Sequence, residues 1–438
     1  MKEMKSIFFI TTILLGFILF SCSEDPVTVM PDEETPSIDS PNILFIVADD
    51  LGKDAINGFT EGSIKPNTPN IDAIRNSGLS FNNFWANPTC SPTRASIITG
   101  KYGYRTGVKG AGDVLGQSEV TLQRYISDNT NNKYASALVG KWHLSGNGAG
   151  ANPESFGIDY YAGLIRGAVD DYYQWKYSED GLSSVETSYV TEKFTDLSIN
   201  WINEQSKPWF LWLAYNAPHT PFHAPPSNMH SQGSLPTYAN GLDPIPYYMA
   251  AIEAMDYQIG RLLDNIPADK RENTIIIFLG DNSTPNQVAQ SPYSRSTAKN
   301  TLYQGGINVP MFISGNSITR LGTDDNLITS TDLFATIAEI AGSTTSEIND
   351  SKSFKSLFTS SDNSIRNYQY SEKNDGGTDA WTISNGTYKL ISNTNGNDEM
   401  YDLVEDPYEQ SDLFDGGLND EQEGAKVALE AELLIIRN

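Results

Sequence analysis

The fold is constrained most by a series of continuous apolar segments that alternate with amphipathic stretches. The segments NILFIVADD (residues 42–50), PWFLWLAYNAPH (208–219) and NTIIIFLGDN (273–282) predict strands buried on both faces. Between them, residues 189–205 and 247–266 carry apolar side chains at helical spacing. This alternation predicts an α/β fold in which a large, mainly parallel sheet is sandwiched between helices.

The pattern changes after about residue 346 of the 438-residue chain. Short strand signals, AWTISNGTYKLISN and EMYDL, replace the long apolar segments and precede a last predicted helix. We therefore predict a main α/β domain over residues 42–345 and a smaller α+β C-terminal subdomain over residues 346–438.

The N-terminus has the features of an export signal. A basic start is followed by the apolar stretch IFFITTILLGFILF, which predicts a signal peptide over residues 1–21. The tetrapeptide LFSC that ends at Cys22 resembles a bacterial lipobox, and the resemblance implies cleavage before Cys22 and attachment of lipid to it. An ordinary signal peptide with an incidental cysteine is the alternative. Residues 22–41 are acidic, rich in proline and free of lysine and arginine, which predicts a tether. We expect an exported protein anchored to a membrane, the outer membrane, on its periplasmic or cell-surface face.

Composition argues against a nucleic-acid partner and against a zinc site. A formal net charge of −26 and the lack of a basic stripe argue against nucleic acid. Four histidines and two cysteines without a CxxC motif argue against a zinc site.

Polar side chains follow several of the predicted strands at the point where each strand ends. In open α/β sheets the functional crevice lies beyond the carboxyl ends of the strands. The residues in question are Asp49 and Asp50 after one strand, Asp281 and Asn282 after another, Lys141 and His143 after a third, and His219 after a fourth. Each alone has a structural explanation as a turn, cap or loop residue, but together they predict one site.

The oxygen ligands in this set predict a hard divalent cation. Asp49, Asp50, Asp281 and Asn282 include no soft ligand, which favours calcium over zinc or a transition metal. Magnesium stays open on residue types alone.

The segment CSPTR (residues 90–94) resembles the C-x-P-x-R signature of type I sulfatases of the alkaline phosphatase superfamily. Six further segments resemble that family and occur along the chain in the family's order. They are ADDLG at residues 48–52, GKWH at 140–143, APHTPFHAP at 217–225, GDN at 280–282, AKNTLYQGGINVP at 298–310 and MYDLVEDPYEQSDL at 400–413. The resemblance covers nearly the whole chain after the tether.

The resemblance implies that a maturation enzyme oxidises Cys90 to formylglycine. The hydrated aldehyde would offer one hydroxyl to attack sulfur and keep a second to expel sulfate. Pro92 and the helical stretch after it place residue 90 near a helix N-terminus, where an anion is favoured. A buried, inert cysteine is the structural alternative.

The resemblance also assigns roles to the other residues of the site. Calcium would be bound by Asp49, Asp50, Asp281, Asn282 and the modified Cys90. Arg94 would support the diol, Lys141 and Lys299 would hold sulfate oxygens, His219 (with Lys299) would protonate the leaving alcohol, and His143 would take the proton from the second hydroxyl.

Two features differ from the family pattern or vary within it. Asn282 is commonly followed by glycine in the family, whereas Ser283 and Thr284 follow it here. His223 lies at a variable position, and contact with substrate and exposure to solvent stay equally open for it.

We predict a sulfuric ester hydrolase acting on a sulfated polysaccharide or oligosaccharide. The alternatives are an arylsulfatase acting on small aryl sulfates, a phosphate or phosphonate monoester hydrolase of the same superfamily, and a lipoprotein that only binds sulfated glycans. The aromatic segment DDYYQWKY (residues 170–177) suits either stacking on sugar rings or simple packing.

Overall fold

The computed structural model describes residues 40–146, 151–361 and 364–438, which form one compact unit. The predicted signal peptide, Cys22 and the predicted tether as far as residue 39 lie outside the described residues. Ser40 and Pro41 are buried, and the Pro41 carbonyl accepts a hydrogen bond from the Tyr134 hydroxyl. Within the described ranges, no helix is both long enough and apolar enough to span a bilayer.

The strands of the described residues are β1 (Asn42–Asp49), β2 (Gly78–Phe81), β3 (Phe84–Trp85), β4 (Ala135–Lys141), β5 (Tyr160–Leu164), β6 (Trp175–Glu179), β7 (Leu182–Glu186), β8 (Trp209–Pro218), β9 (Thr274–Gly280), β10 (Met311–Gly315), β11 (Gly322–Asp324), β12 (Ile328–Thr329), β13 (Glu347–Ile348), β14 (Ser351–Lys352), β15 (Gln369–Asp375), β16 (Thr378–Ser384), β17 (Tyr388–Asn393) and β18 (Glu399–Asp402).

The α-helices are α1 (Pro69–Asn76), α2 (Cys90–Thr99), α3 (Gly103–Thr106), α4 (Leu122–Asn129), α5 (Val190–Glu204), α6 (Ile245–Asn265), α7 (Ala268–Glu272), α8 (Gln304–Ile307), α9 (Asp332–Ile340), α10 (Leu413–Gly416) and α11 (Asp420–Arg437). Short 3-10 turns occupy Lys53–Ala55, Pro153–Phe156 and Lys355–Phe358.

The main sheet has ten strands in the order β11-β2-β10-β9-β1-β8-β4-β5-β6-β7. Its centre, from β9 through β1, β8 and β4 to β5, is parallel. Antiparallel pairings occur toward both edges, where β10 pairs with β9 and β2, and where the β6–β7 hairpin pairs with β5. The predicted α/β fold is therefore confirmed, as a mixed sheet with a parallel centre.

Both faces of the sheet are buried. Along β1, the side chains of Ile43, Phe45 and Val47 belong to one hydrophobic core, while Leu44 and Ile46 belong to the other. Helices α2, α4 and α9 contribute to the first core, and α1, α5 and α6 contribute to the second. This burial on two sides explains why the strands read as continuous apolar segments.

The C-terminal part is built on a second, antiparallel sheet. Strands β15, β16, β17 and β18 pair in that order. Helix α11 packs on this sheet through the fully buried Leu429, and Asn419 begins the helix with a capping box closed by Gln422. The arrangement agrees with the smaller C-terminal α+β region expected from the sequence.

Candidate active site

The carboxyl ends of four neighbouring parallel strands meet at one edge of the sheet. Asp49 and Lys141 are the last residues of β1 and β4, while His219 and Asp281 directly follow β8 and β9. Because β9, β1, β8 and β4 are adjacent in the sheet, their polar terminal residues converge. The contacts described below involve most of the residues that the sequence predicted for the site.

Cys90 is the first residue of α2, as the sequence predicted. All ten residues of this helix are buried, and it ends at Gly100, which has the left-handed backbone conformation (φ 65°) typical of a helix C-terminus. Cys90 is 3 % exposed, and its Sγ lies 3.1 Å from Nδ1 of His143. Burial raises the pKa of the Cys90 thiol, although the nearby Lys141 lowers it. An unmodified Cys90 is therefore a neutral thiol, which is a weak nucleophile.

Arg94, one turn along α2, holds Asp281. Its Nε and Nη2 donate to Oδ2 of Asp281 over 3.0 and 2.7 Å, and its Nη1 donates to the Lys141 carbonyl over 2.7 Å. The side chains of Arg94 and Asp281 are 1 % and 0 % exposed. In this structure, Arg94 orients a carboxylate and the end of β4, and it does not contact Cys90 by a hydrogen bond.

Two lysines are paired with the other two carboxylates. Nζ of Lys141 lies 2.6 Å from Oδ2 of Asp49, and both groups are fully buried. Nζ of Lys299 lies 2.5 and 2.6 Å from the two carboxylate oxygens of Asp50. Pairing of this kind compensates charges that burial makes costly.

His143 is held by its backbone. Its carbonyl accepts a hydrogen bond from Oγ of Ser91 over 2.9 Å, and its backbone is left-handed (φ 56°), a conformation that is uncommon outside glycine. A Cβ added to Gly167 would lie 2.2 Å from Nε2 of His143, so the loop after β5 packs directly on the ring. Burial, followed by the charges of Lys141 and Arg94, lowers the pKa of His143 to about 2. The imidazole is therefore neutral, and one of its ring nitrogens carries a lone pair.

His219 faces the site from the turn after β8. Its Nδ1 lies 2.6 Å from the Thr220 carbonyl, and its Nε2 lies 3.7 Å from Oδ2 of Asp50. A carbonyl can only accept, so Nδ1 carries a proton and Nε2 is the ring nitrogen that faces Asp50.

The oxygen set fits a hard cation. Oδ1 of Asp49 and Oδ1 of Asn282 are buried and have no hydrogen-bond partner among the described residues. One ligand atom from each of Asp49, Cys90 and Asp281 lies within 4.8 Å of the others. Burial, followed by the charge of Asp49, raises the pKa of Asp281, which indicates carboxylates that repel one another. Unpartnered oxygens and crowded carboxylates are what a calcium ion would satisfy.

Sequence reasoning noted Ser283 and Thr284 after Asn282 but missed the contacts that they make. Oγ1 of Thr284 accepts a hydrogen bond from the Gly52 amide over 3.2 Å and donates to the Asp54 carboxylate. A Cβ at Gly52 would lie 2.5 Å from Oγ of Ser283. Ser283 and Thr284, which follow Asn282 where the family commonly has glycine, are therefore packed against the ADDLG segment. The only sequence signal of this packing was the departure from the family pattern at these positions.

Comparison with known protein families gives two matches. The family model described as Sulfatase matches residues 41–343, and the model described as N-sulphoglucosamine sulphohydrolase, C-terminal, matches residues 296–436. Mouse (Mus musculus) arylsulfatase J is 27 % identical over 337 residues, which cover 71 % of this chain and 54 % of that protein. The chain thus spans about half the length of this curated relative.

Solved structures give matches over most of the chain. The structure of Ps i-CgsB in complex with k-i-k-neocarrahexaose is 25 % identical, with a TM-score of 0.74 and coverage of 86 % of this chain and 89 % of that one. The structure of BT4656 with its substrate D-glucosamine-2-N,6-O-disulfate is 20 % identical, with a TM-score of 0.76 and coverage of 91 % and 98 %. The second likeness supports the fold.

Proposed function

Because this chain belongs to the sulfatase family, we propose that it hydrolyses sulfate esters of carbohydrates through a formylglycine formed at Cys90. The observation that carries the proposal is the position of Cys90 at the start of α2, beside His143, where its Sγ and one carboxylate oxygen each of Asp49 and Asp281 lie within 4.8 Å of one another. A maturation enzyme is the partner that this modification requires.

The state of the thiol supports modification of residue 90. A buried cysteine with a raised pKa is a weak nucleophile toward a sulfate ester. A hydrated formylglycine would supply one hydroxyl for attack on sulfur and a second whose deprotonation releases sulfate. The phosphate and phosphonate alternative is less favoured because Asn282 stands where such enzymes often carry histidine.

Calcium is the proposed metal, held by Asp49, Asp50, Asp281, Asn282 and the modified residue 90. Bound there, it would supply Lewis-acid polarisation of the sulfate and of the nucleophile. Magnesium is the alternative, and the irregular set of oxygens with two unpartnered atoms suits the flexible coordination of calcium better.

The two histidines have opposite proton roles. Nδ1 of His143 lies beside residue 90, so His143 is placed to accept the proton from the second hydroxyl of that residue. His219 presents Nε2 to the site beside Asp50 and donates a proton to the leaving alcohol.

The two lysines and Arg94 act through their positive charge. Lys141 is fully buried on Asp49, and Lys299 is 21 % exposed and paired with Asp50; both are placed to bind sulfate oxygens once a metal compensates those carboxylates. Arg94 keeps Asp281 in a fixed orientation.

The proposed substrate is a sulfated polysaccharide or oligosaccharide. Ps i-CgsB, which is similar over most of this chain, was crystallised with a neocarrahexaose. Small aryl sulfates are the second candidate, because arylsulfatase J is among the relatives. We further propose that Cys22 anchors the protein to the outer membrane by a lipid.

The proposal is tested by measuring release of sulfate from a panel of sulfated oligosaccharides, with the sulfate and phosphate esters of 4-nitrophenol as references. The expected result is turnover of at least one oligosaccharide with a kcat/KM above that for the aryl sulfate, and little turnover of the phosphate. Faster hydrolysis of the phosphate ester than of any sulfate ester would contradict the proposed activity. Calcium-dependent binding of sulfated glycans without turnover would favour a binding protein instead.

A further inference from the structure

The position of His219 depends on a turn rather than on a regular strand. His219 is the residue after β8, and its amide donates to the Asn216 carbonyl over 2.8 Å. Its ring reaches the site only through Nε2, which lies 3.7 Å from Asp50. The geometry of this Asn216–His219 turn therefore decides where Nε2 points.

The Tyr172 hydroxyl contacts the carbonyls of both end residues of this turn. It lies 2.7 Å from the His219 carbonyl and 3.0 Å from the Asn216 carbonyl, and Tyr172 is 1 % exposed. Among the described residues, this hydroxyl is the only hydrogen-bond donor to the His219 carbonyl. The Tyr172 carbonyl in turn accepts from the Val190 amide over 3.1 Å, which ties residue 172 to the start of α5.

His223 and Tyr189 hold the Tyr172 ring. The His223 ring stacks on that of Tyr172, with centroids 3.7 Å apart and planes 16° from parallel. Nδ1 of His223 donates to the Pro221 carbonyl over 3.0 Å, and its Nε2 accepts from the Tyr189 hydroxyl over 3.0 Å. Both ring nitrogens of His223 are thus engaged within the fold, so contact with substrate through them is not required to explain this residue.

We propose that Tyr172, backed by His223 and Tyr189, is a positioning residue that aims Nε2 of His219 at the leaving-group oxygen. This inference rests on the proposed role of His219 as the proton donor. Tyr172 itself does not act on substrate: its one hydroxyl proton is directed at the two backbone carbonyls of the turn.

A positioning role has a kinetic signature that loss of stability lacks. Proton donation helps a poor leaving group far more than a good one, because an acidic phenol departs without it. A misplaced His219 therefore slows hydrolysis in proportion to the basicity of the leaving group. A general weakening of the fold lowers the rate for all substrates by the same factor.

The experiment compares Tyr172→Phe with wild type on a series of sulfate esters from 4-nitrophenyl through phenyl and 4-methoxyphenyl to a sugar sulfate. Tyr134→Phe is the matched control, since it also removes a buried hydroxyl from a backbone carbonyl. Tyr134 lies before the N-terminal end of β4, whereas the site lies at the carboxyl ends of the strands. We expect kcat/KM of Tyr172→Phe to fall by less than about threefold for 4-nitrophenyl sulfate and by about tenfold or more for the sugar sulfate. Tyr134→Phe is expected to leave the dependence on the leaving group unchanged.

Two further variants separate this inference from the proposed function. His219→Gln should show the same dependence more strongly, about 100-fold or more on the poorest leaving group. If His219→Gln shows it and Tyr172→Phe loses rate uniformly, the positioning role is wrong while the proton donor stands. If His219→Gln also loses rate uniformly, both assignments are wrong. Should Tyr172→Phe fail to fold, Tyr189→Phe, which removes only the bond to His223, decides by the same criterion.

Discussion

Replacing Asp281 with asparagine separates the electrostatic role of this residue from its shape. The change keeps the size of the side chain but removes the charge that pairs with Arg94, and both side chains are at most 1 % exposed. Removing one partner of a buried ion pair destabilises a protein by about 3–5 kcal/mol, because the other charge is left uncompensated, and relief of the repulsion between Asp281 and Asp49 offsets part of this loss. We therefore expect metal-free Asp281→Asn to unfold at a Tm lower than that of wild type by several degrees.

The calcium response is the second consequence of the same change. In wild type, calcium at 100 times its Kd stabilises the folded protein by about 2.7 kcal/mol. Loss of one carboxylate ligand that weakens binding tenfold removes about 1.4 kcal/mol of this stabilisation at the same calcium concentration. The assay is thermal unfolding with chelator and with a calcium titration, together with turnover of a sulfate ester, which we expect to be nearly abolished.

Asp332→Asn is the matched control. Asp332 also accepts hydrogen bonds on buried carboxylate oxygens from one guanidinium, that of Arg366, through Nε and Nη2, but it lies at the start of α9 outside the site. This variant is expected to lose comparable stability while keeping the calcium-induced rise in Tm and the turnover per folded molecule. An Asp281→Asn protein that keeps the full calcium-induced rise would refute the assignment of Asp281 as a metal ligand.

Three further predictions concern other parts of the chain. Gly167→Ala should lower kcat by about tenfold or more, because its Cβ would lie 2.2 Å from Nε2 of His143. Gly116→Ala, whose Cβ would meet only one atom, at 3.9 Å, should leave kcat unchanged, and steady-state kinetics of the two variants checks this. Arg166 is exposed, adjoins Gly167 and makes no ion pair or hydrogen bond among the described residues, so Arg166→Gln should raise KM for a polysulfated oligosaccharide and leave KM for a singly charged aryl sulfate unchanged. Cys22→Ala should release a folded, active protein from membranes in a fractionation assay, and retention of a correctly processed variant on the membrane would contradict the lipid anchor.

Much of the fold was predictable because the central strands are buried on both faces. The sequences of β1, β4, β8 and β9 are continuous apolar segments. Strands that are buried on both faces in this way are typical of a parallel sheet. The β6–β7 hairpin was not predicted, since β7 (LSSVE) is almost entirely exposed and has little apolar signal. Its strands depend on pairing with β5, which is a tertiary contact.

The site was predictable where its residues lie at strand ends or in a motif, and unpredictable where they act through contacts distant in sequence. From the sequence, the aromatic side chains of residues 170–177 suited stacking on sugar rings and packing within the fold equally well. The structure buries Tyr172 and Trp175 and leaves Tyr173 40 % exposed. The hydrogen bond from Tyr172 to His219 spans 47 residues, and nothing local in the sequence signals it. The pairing of Lys141 with Asp49 across 92 residues is of the same kind.

The central claim is that residue 90 acts as formylglycine, and mass spectrometry of the tryptic peptide Asn76–Arg94, which contains it, tests this most directly when combined with activity of the same preparations. Conversion replaces the thiol with an aldehyde, so the peptide loses one sulfur and two hydrogens and gains one oxygen. Protein made with and without a competent maturation enzyme should show turnover in proportion to the converted fraction, and Cys90→Ala should fold but show none. Hydrolysis of sulfate esters at the full rate by protein whose Cys90 is entirely an unmodified thiol would contradict the account.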